Sequence, residues 1–239
     1  MIMLLSDVHC QFHLINQQIE AAEKKFGNAV SQVIVLGDLG FFPDEIKSFF
    51  NQNPDGFCRP MSFIDGNHED FAALPDLAAK YSERMKFLPR ATLNVFESFR
   101  MLALGGAAYM DSAVTPSGSE ITEWQIQACL EYAPGSVDVV LTHDCPRDLG
   151  IENHPGFEHY GSPGFEGGLE IARHLKPKLW FFGHHHRWFD KTVDETRFIG
   201  IAEAWKGYAL LLADGRVVIE KNEIKRKLTW WQRFWFGSE

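Results

Sequence analysis

The feature that most restricts this chain is a repeated pattern: five short apolar runs, each leading into side chains that bind metals or carry protons. MIMLL runs into Ser6-Asp7, QVIVL into Gly37-Asp38, and SFI into Asp65-Gly66-Asn67-His68; VDVVL runs into Thr142-His143 and LWFF into Gly183-His184. Short β-branched and aromatic runs bounded by glycine or polar residues signal buried strands. In α/β sheets ligands gather beyond the carboxyl ends of the strands. The pattern therefore predicts an α/β chain whose strand ends converge on one site.

The intervening segments read as helices. Ile15, Ile19, Ala22 and Phe26 share a helical face that ends at Gly27, and Pro43 suits the first turn of a short helix through Phe50. Thr122 with Gln125 predicts a capping box opening a helix that stops at Pro134-Gly135, and Glu166–His174 predicts another. Further strands are expected at Arg100–Leu104, Arg197–Ile201, Tyr208–Leu212 and Arg216–Glu220. The Gly/Pro-rich stretch from Cys145 to Gly168 reads as a long loop, and long loops in compact domains are commonly functional. With no internal repeat or low-complexity linker, residues 1–239 are expected to form one domain, with an aromatic and basic tail at 225–239.

Composition narrows the function. The 32 acidic residues outnumber the 23 basic ones, for a formal charge of -9, which disfavours long nucleic acid held by many phosphate contacts. A short anionic substrate stays open, because bound divalent metals would reverse the local sign. Cys10, Cys58, Cys129 and Cys145 form no CxxC pair, so reduced thiols in a cytoplasmic protein are expected. The start MIMLLSD has no basic region ahead of its apolar residues, and reads as a strand in place of a signal peptide.

The strand ends supply Asp7, His9, Asp38, Asn67, His68, His143 and His184–His186. One such ending would read as a hydrogen-bonded core residue; five in succession read as a metal site. Mixed His, Asp and Asn donors without Cys suit Mn²⁺ best, with Fe or Zn²⁺ as alternatives. The donors exceed what one ion takes, so two ions about 3.5–4 Å apart with a bridging carboxylate are expected.

Taken together, DVH (7–9), GD (37–38), GNHE (66–69), TH (142–143) and GHHH (183–186) resemble the ordered motifs of the calcineurin-like metallophosphoesterases. The resemblance implies a four-layer α/β/β/α sandwich, two packed mixed β-sheets flanked by helices. It implies that Asp7, His9 and His186 hold one metal, that Asn67, His143 and His184 hold the other, and that Asp38 bridges them. His68 would contact the scissile phosphate and protonate the leaving group, with Glu69 orienting His68 or a ligand. The implied activity is phosphate-ester hydrolysis by in-line attack of a hydroxide held between two cations, with His68 suited to acid work near neutrality.

GDLGFFP (37–43) carries no arginine to clamp a phosphomonoester dianion, so phosphodiesters are slightly preferred over a phosphomonoesterase or protein phosphatase role. THDCPRDLG (142–150) and the stretch 161–189 are similar to RNA lariat debranching enzymes, which implies a short oligonucleotide as one candidate substrate. Asp7, however, stands where those enzymes typically have Cys. A non-catalytic binding scaffold of the same fold is the remaining alternative. Cys10 is read as a small buried thiol; His154, His159, Tyr160, Arg147 and Tyr109 are each read as structural before they are read as substrate contacts. The tail KRKLTWWQRFWF is expected to pack or mediate homo-oligomers in preference to lying on a membrane.

The triplet His184-His185-His186 poses its own question. In an extended segment side chains alternate, which would turn His184 and His186 to the metals and leave His185 as a packing or substrate-side residue.

Overall fold

A computed structural model describes residues 1–226. Two six-stranded mixed sheets pack face to face between two layers of helices. In chain order the strands are β1 (Ile2–Leu5), β2 (Gln32–Leu36), β3 (Met61–Ile64), β4 (Lys86–Phe87), β5 (Thr92–Phe96), β6 (Phe99–Leu104), β7 (Val139–Thr142), β8 (Leu179–Phe182), β9 (Phe189–Val193), β10 (Thr196–Gly200), β11 (Gly207–Leu211) and β12 (Val217–Lys221). The helices are α1 (His13–Phe26), α2 (Pro43–Gln52), α3 (Leu74–Lys80), α4 (Glu123–Leu130) and α5 (Gly168–Leu175). The first sheet runs β12-β11-β1-β2-β3-β4 and the second β5-β6-β7-β8-β10-β9.

Strand periodicity explains the layers. In β1, Met3 and Leu5 face the helical layer formed by α1 and α2, where they meet Ile15, Ile19 and Phe49, while Ile2 and Leu4 face the second sheet. The inter-sheet core joins Ile34, Leu36 and Ile64 to Met101, Leu141, Phe181 and Ile199. On the far side, Val140, Trp180 and Phe198 pack under α4 and α5 with Ile126, Ile171 and Leu175. Strands buried on both faces need continuous apolar runs, which is why QVIVL and LWFF show no polar alternation.

Most expected elements form within one or two residues of their expected bounds. α1 ends at Gly27, whose φ of 67° closes the helix in the left-handed region. The Thr122 capping box forms, with Thr122 Oγ1 accepting from the Gln125 N–H and Gln125 Oε1 from the Thr122 N–H. α4 itself ends at Leu130, short of the expected Pro134. Four elements lie outside the expected set: α3, β4, β5 and β9. β4 has only two residues, and β9 (FDKTV) is an edge strand paired only with β10. β5 and β6 form a hairpin that turns at Glu97, which takes φ 53° without being glycine.

Among the described residues all four cysteines are free, and no helix is long and apolar enough to cross a membrane. The tail expected at 225–239 lies, beyond Lys225 and Arg226, outside the described residues.

Arg90 ties the site-bearing end of β3 to the loop before α4. Its Nε and Nη2 donate to Asp65 Oδ2 at 2.8 and 2.5 Å, and its Nη1 donates to Glu120 O at 2.6 Å. Asp65 is buried, and removing one partner of such a pair leaves an uncompensated charge. Arg90→Ala is expected to destabilise the protein by about 3 kcal/mol, read from urea denaturation. A loss under about 0.5 kcal/mol, the size of an ordinary surface substitution, would show that the pair holds nothing.

Candidate metal centre

Three adjacent parallel strands of the first sheet, β1, β2 and β3, point their carboxyl ends at those of β7 and β8, which are parallel neighbours in the second. The two sets of ends are joined directly. The His184 N–H donates to Asp7 Oδ2 at 3.0 Å, and His143 Nδ1 donates to Leu36 O at 2.8 Å. Asp7 and His9 lie past β1, Asp38 past β2, Asn67, His68 and Glu69 past β3, His143 past β7, and His184 and His186 past β8. The structure brings all nine expected residues to one end of the sandwich.

Two groups of electron-pair donors form there. In the first, His9 Nε2 lies 3.4 Å from His186 Nε2, and Asp7 Oδ1 lies 3.3 Å from His186 Nε2 and 3.9 Å from His9 Nε2. Ser6 Oγ and the His184 N–H take Asp7 Oδ2, while the buried Oδ1 accepts no hydrogen bond of sound geometry. In the second, His143 Nε2 lies 3.0 Å from Asn67 Oδ1 and 3.4 Å from Asp38 Oδ1. With Nδ1 donating to Leu36 O, a neutral ring would present its lone pair at Nε2, although against the opposing effect of burial Asp38 and Asp7 raise the His143 pKa above its usual value. Asp7, Asp38 and His143 each turn one ligand atom into a common volume under 4.8 Å across. Buried acceptors facing each other repel unless a cation or protons stand between them, so this donor set fits divalent metal.

The titration behaviour follows from the same crowding. Burial drives the His9 imidazole down to about 4 and that of His184 to about 3, which keeps both neutral and able to ligate. Burial also opposes charge on His186, but Asp7 and then Glu203 outweigh it and raise that group to about 9. Burial alone would raise the Asp7 carboxyl, yet His186 and the other imidazoles hold it far below its usual range. Burial and the neighbouring Asp38 together push Glu69 well above the usual carboxylate range.

The backbone here is strained. Asp7, His9, Asp38, His184 and His186 all have φ between 48° and 65°, a region that costs a non-glycine residue roughly 1–2 kcal/mol. Such strain persists only where the surroundings over-determine it, and it gathers at functional sites. It also corrects the extended reading of the triplet. Residues 184–186 form a tight turn in which left-handed His184 and His186 reach opposite groups. His143 lies 4.9 Å from His184 between ring centroids, and Asp7 lies against His186. His185 is buried, and its Nε2 bonds Asp144 Oδ1 at 2.9 Å.

Among the described residues the Glu69 carboxylate is taken by backbone, not by the His68 ring. It accepts from the N–H groups of Leu39 and Phe41 at 3.0 and 2.5 Å, and so holds the backbone just beyond Asp38. His68 itself is anchored by its N–H, 2.8 Å from Asp38 Oδ1, while its side chain is 53% exposed at the mouth of the site.

Sequence reasoning passed over three supports. Ser6 holds Asp7, Asp144 holds His185, and Glu203 Oε1 lies 3.8 Å from His186 Nδ1. Asp144 directly succeeds His143, and a carboxylate next to an expected ligand is the signal that could have found it. Nothing local marks Glu203 or Ser6.

Comparison with known proteins agrees with this architecture. The family model described as calcineurin-like phosphoesterase matches residues 1–188. The lariat debranching enzyme of Entamoeba histolytica is 22% identical over 241 residues, covering 84% of this chain and 68% of that protein. Two solved structures share the fold. Phosphopantetheinyl hydrolase from Mycobacterium tuberculosis has a TM-score of 0.55 at 14% identity, over 85% of this chain and 89% of that one. GAP50, the anchor in the inner membrane complex of Plasmodium, has a TM-score of 0.57 at 12% identity, over 95% and 89%.

The Asp144 contact engages His185 Nε2 and ties the ring to the turn, so His185 is expected to support the turn and not to ligate. His185→Ala leaves the buried Asp144 with only the Ala108 and Cys145 N–H groups. It is expected to lower stability by about 1–3 kcal/mol while metal stoichiometry is retained, measured by denaturation and by metal analysis. Loss of a full equivalent of metal with stability intact would reverse that assignment.

Proposed function

The chain belongs to the calcineurin-like phosphoesterase family, and on that premise we propose that it hydrolyses phosphate esters at a two-metal centre, with phosphodiesters slightly preferred over monoesters. The observation that carries the reading is two adjoining sets of candidate ligands, Asp7 with His9 and His186 and Asp7 with Asp38 and His143, with the exposed His68 4.0 Å from Asp38. Asp7, His9 and His186 would hold one cation, Asn67, His143 and His184 the other, and Asp38 both. Mn²⁺ suits this nitrogen and oxygen set best, with Fe or Zn²⁺ as alternatives. When bound, two such cations lower the pKa of water and neutralise charge on phosphate oxygens during in-line displacement.

The protein's own residues do the positioning. Ser6 and the His184 N–H hold Asp7 Oδ2 and thereby aim Oδ1 at His9 and His186. Leu36 O fixes the His143 tautomer, and Glu203 stands behind His186. The N–H groups of Asn67 and His68 both hold Asp38 Oδ1 at 2.8 Å, so the carboxylate and the acid histidine move as one unit. His68 donates the proton that the departing alkoxide needs, and its exposure puts that proton within reach of substrate.

Diester preference rests on the segment just beyond Asp38. Leu39, Gly40 and Phe41 are buried, and the Leu39 and Phe41 N–H groups are held by Glu69, so this segment offers no cation to a monoester dianion. The resemblance to a debranching enzyme favours a nucleotide diester, and the charge of -9 favours a short one.

The Mn²⁺-loaded protein is expected to hydrolyse bis-p-nitrophenyl phosphate. Asp38→Asn and His184→Ala are expected to lose more than the roughly 10–100-fold that removing an outer-shell partner costs. His68→Ala is expected to lose about 10²–10⁴-fold in kcat with metal content unchanged. Wild-type rates in Asp38→Asn and His184→Ala would refute the site.

A further inference from the structure

Beside the histidine turn lies a cavity of about 120 Å³ for which the hydrolytic residues supply no role. His184 and His185 line it at the metal side, Tyr109 from the loop after β6, and His154, Phe157 and Tyr160 from the loop after β7. The Tyr160 hydroxyl donates to the Asp111 carboxylate, which ties the two loops together beside the cavity. Phe157 and Tyr160 lie 5.9 Å apart between centroids, tilted by 37°. His154 stacks on His185 at 6.3 Å and 17°, so the aromatic surface continues to the edge of the metal centre.

Three properties define what fits. The first is exposure. Among the described residues the exposed large hydrophobics are Val95, Tyr109, Val114, Trp124 and Phe157, and two of them, Tyr109 at 59% and Phe157 at 39%, line this one cavity. Large apolar faces left open together mark a contact surface. The second is size. At about 120 Å³ the space is well under the roughly 300–1,000 Å³ of a pocket that encloses a whole ligand, so it takes one ring system of a larger molecule. The third is charge. Arg147 is the only Lys or Arg in the lining, and its Nη1 is held by Glu166 Oε1 at 2.6 Å, while Asp144 adds a negative charge. A second phosphate gains nothing here, whereas a neutral flat ring with hydrogen-bonding edges meets aromatic faces and the polar groups of Asn153 and Ser162.

We propose that this cavity is a subsite for a nucleobase of the substrate, with the base lying against Tyr109 and Phe157 while its phosphate reaches the metal centre past His184. The placement of the phosphate rests on the phosphoesterase reading above; the base contact does not. Base stacking on aromatic side chains tolerates sequence variation, because every base has a flat face. The proposal therefore assigns a nucleotide diester without choosing among bases.

The test uses the metal-loaded full chain and adenosine, which has a base but no phosphate, with ribose as control. Adenosine is expected to bind by ligand-observed NMR titration and ribose not to bind. Tyr109→Ala and Phe157→Ala are each expected to weaken adenosine by roughly 5- to 150-fold, the range that one base stack carries. Both side chains are exposed, so the variants are expected to melt with the wild type. The KM for the dinucleotide ApA is expected to rise by the same factor while kcat stays within about twofold, since the lost contact is made equally in ground and transition states. Adenosine binding no tighter than ribose, or unchanged in both variants, would overturn the subsite. Cleavage of esters without that discrimination sinks the subsite alone. Adenosine binding that depends on the two aromatics, with no ester cleaved, keeps the subsite and sinks the phosphoesterase reading.

Discussion

Everything in this molecule's chemistry depends on the contact between the carboxyl ends of its two sheets. A single sheet offers only half of the candidate ligands: Asp7, His9, Asp38 and Asn67 from the first, His143, His184 and His186 from the second. Among the hydrogen bonds that join the halves are those from the His184 N–H to Asp7 and from His143 Nδ1 to Leu36 O. Each engages one atom of a candidate ligand, Asp7 Oδ2 or His143 Nδ1, and leaves Asp7 Oδ1 and His143 Nε2 to the shared volume. The inter-sheet core of Ile34, Leu36, Leu141 and Phe181 lies directly behind this junction. Hydrophobic burial thus supplies the force that holds mutually repelling acceptors together, a service that surface loops could not give.

The strain at the ligands has the same origin. A strand that simply continued past its end would carry its side chains onward, away from the opposite sheet. Turning through the left-handed region at Asp7, Asp38, His184 and His186 brings each side chain back across the sheet end. The energy this costs is offset by packing elsewhere, and the result is a set of candidate ligands whose directions are fixed by the fold itself.

The legible and illegible parts of the sequence separate along these lines. The central strands were legible because burial on both faces forces continuous apolar runs, and the convergence of the nine expected residues on one end because each succeeds such a run or lies within a few residues of its end. α3, β4, β5 and β9 were not, since short or edge elements carry little periodicity. In the triplet, the expected alternation of an extended segment is replaced by a turn with left-handed His184 and His186. A strand and a left-handed turn can both send residues i and i+2 toward the metals, and only the backbone angles tell them apart. Glu203 was illegible for another reason: it reaches His186 through the fold of the chain, with no local pattern to betray it.

The glycines of the motifs add a point about spacing. Gly37 adopts φ 83°, so conformational freedom is one reason for its presence. Gly66 and Gly183 have no such need, yet a Cβ on Gly66 would stand 2.1 Å from Asp38 Oδ1 and one on Gly183 would stand 1.7 Å from Ser6 Oγ. A Cβ at either position would have to displace those side chains, and at Gly66 it would also meet the Asp38 backbone nitrogen at 2.3 Å. Gly66 lets the β3 end close on Asp38, so that the Asn67 and His68 N–H groups reach its carboxylate. Gly183 lets the β8 end close on Ser6 and Asp7, so that the His184 N–H reaches across the sheets. The glycine that precedes a ligand is therefore part of the ligand's geometry: it sets the distance between sheet ends, and that distance decides whether two half-sites become one.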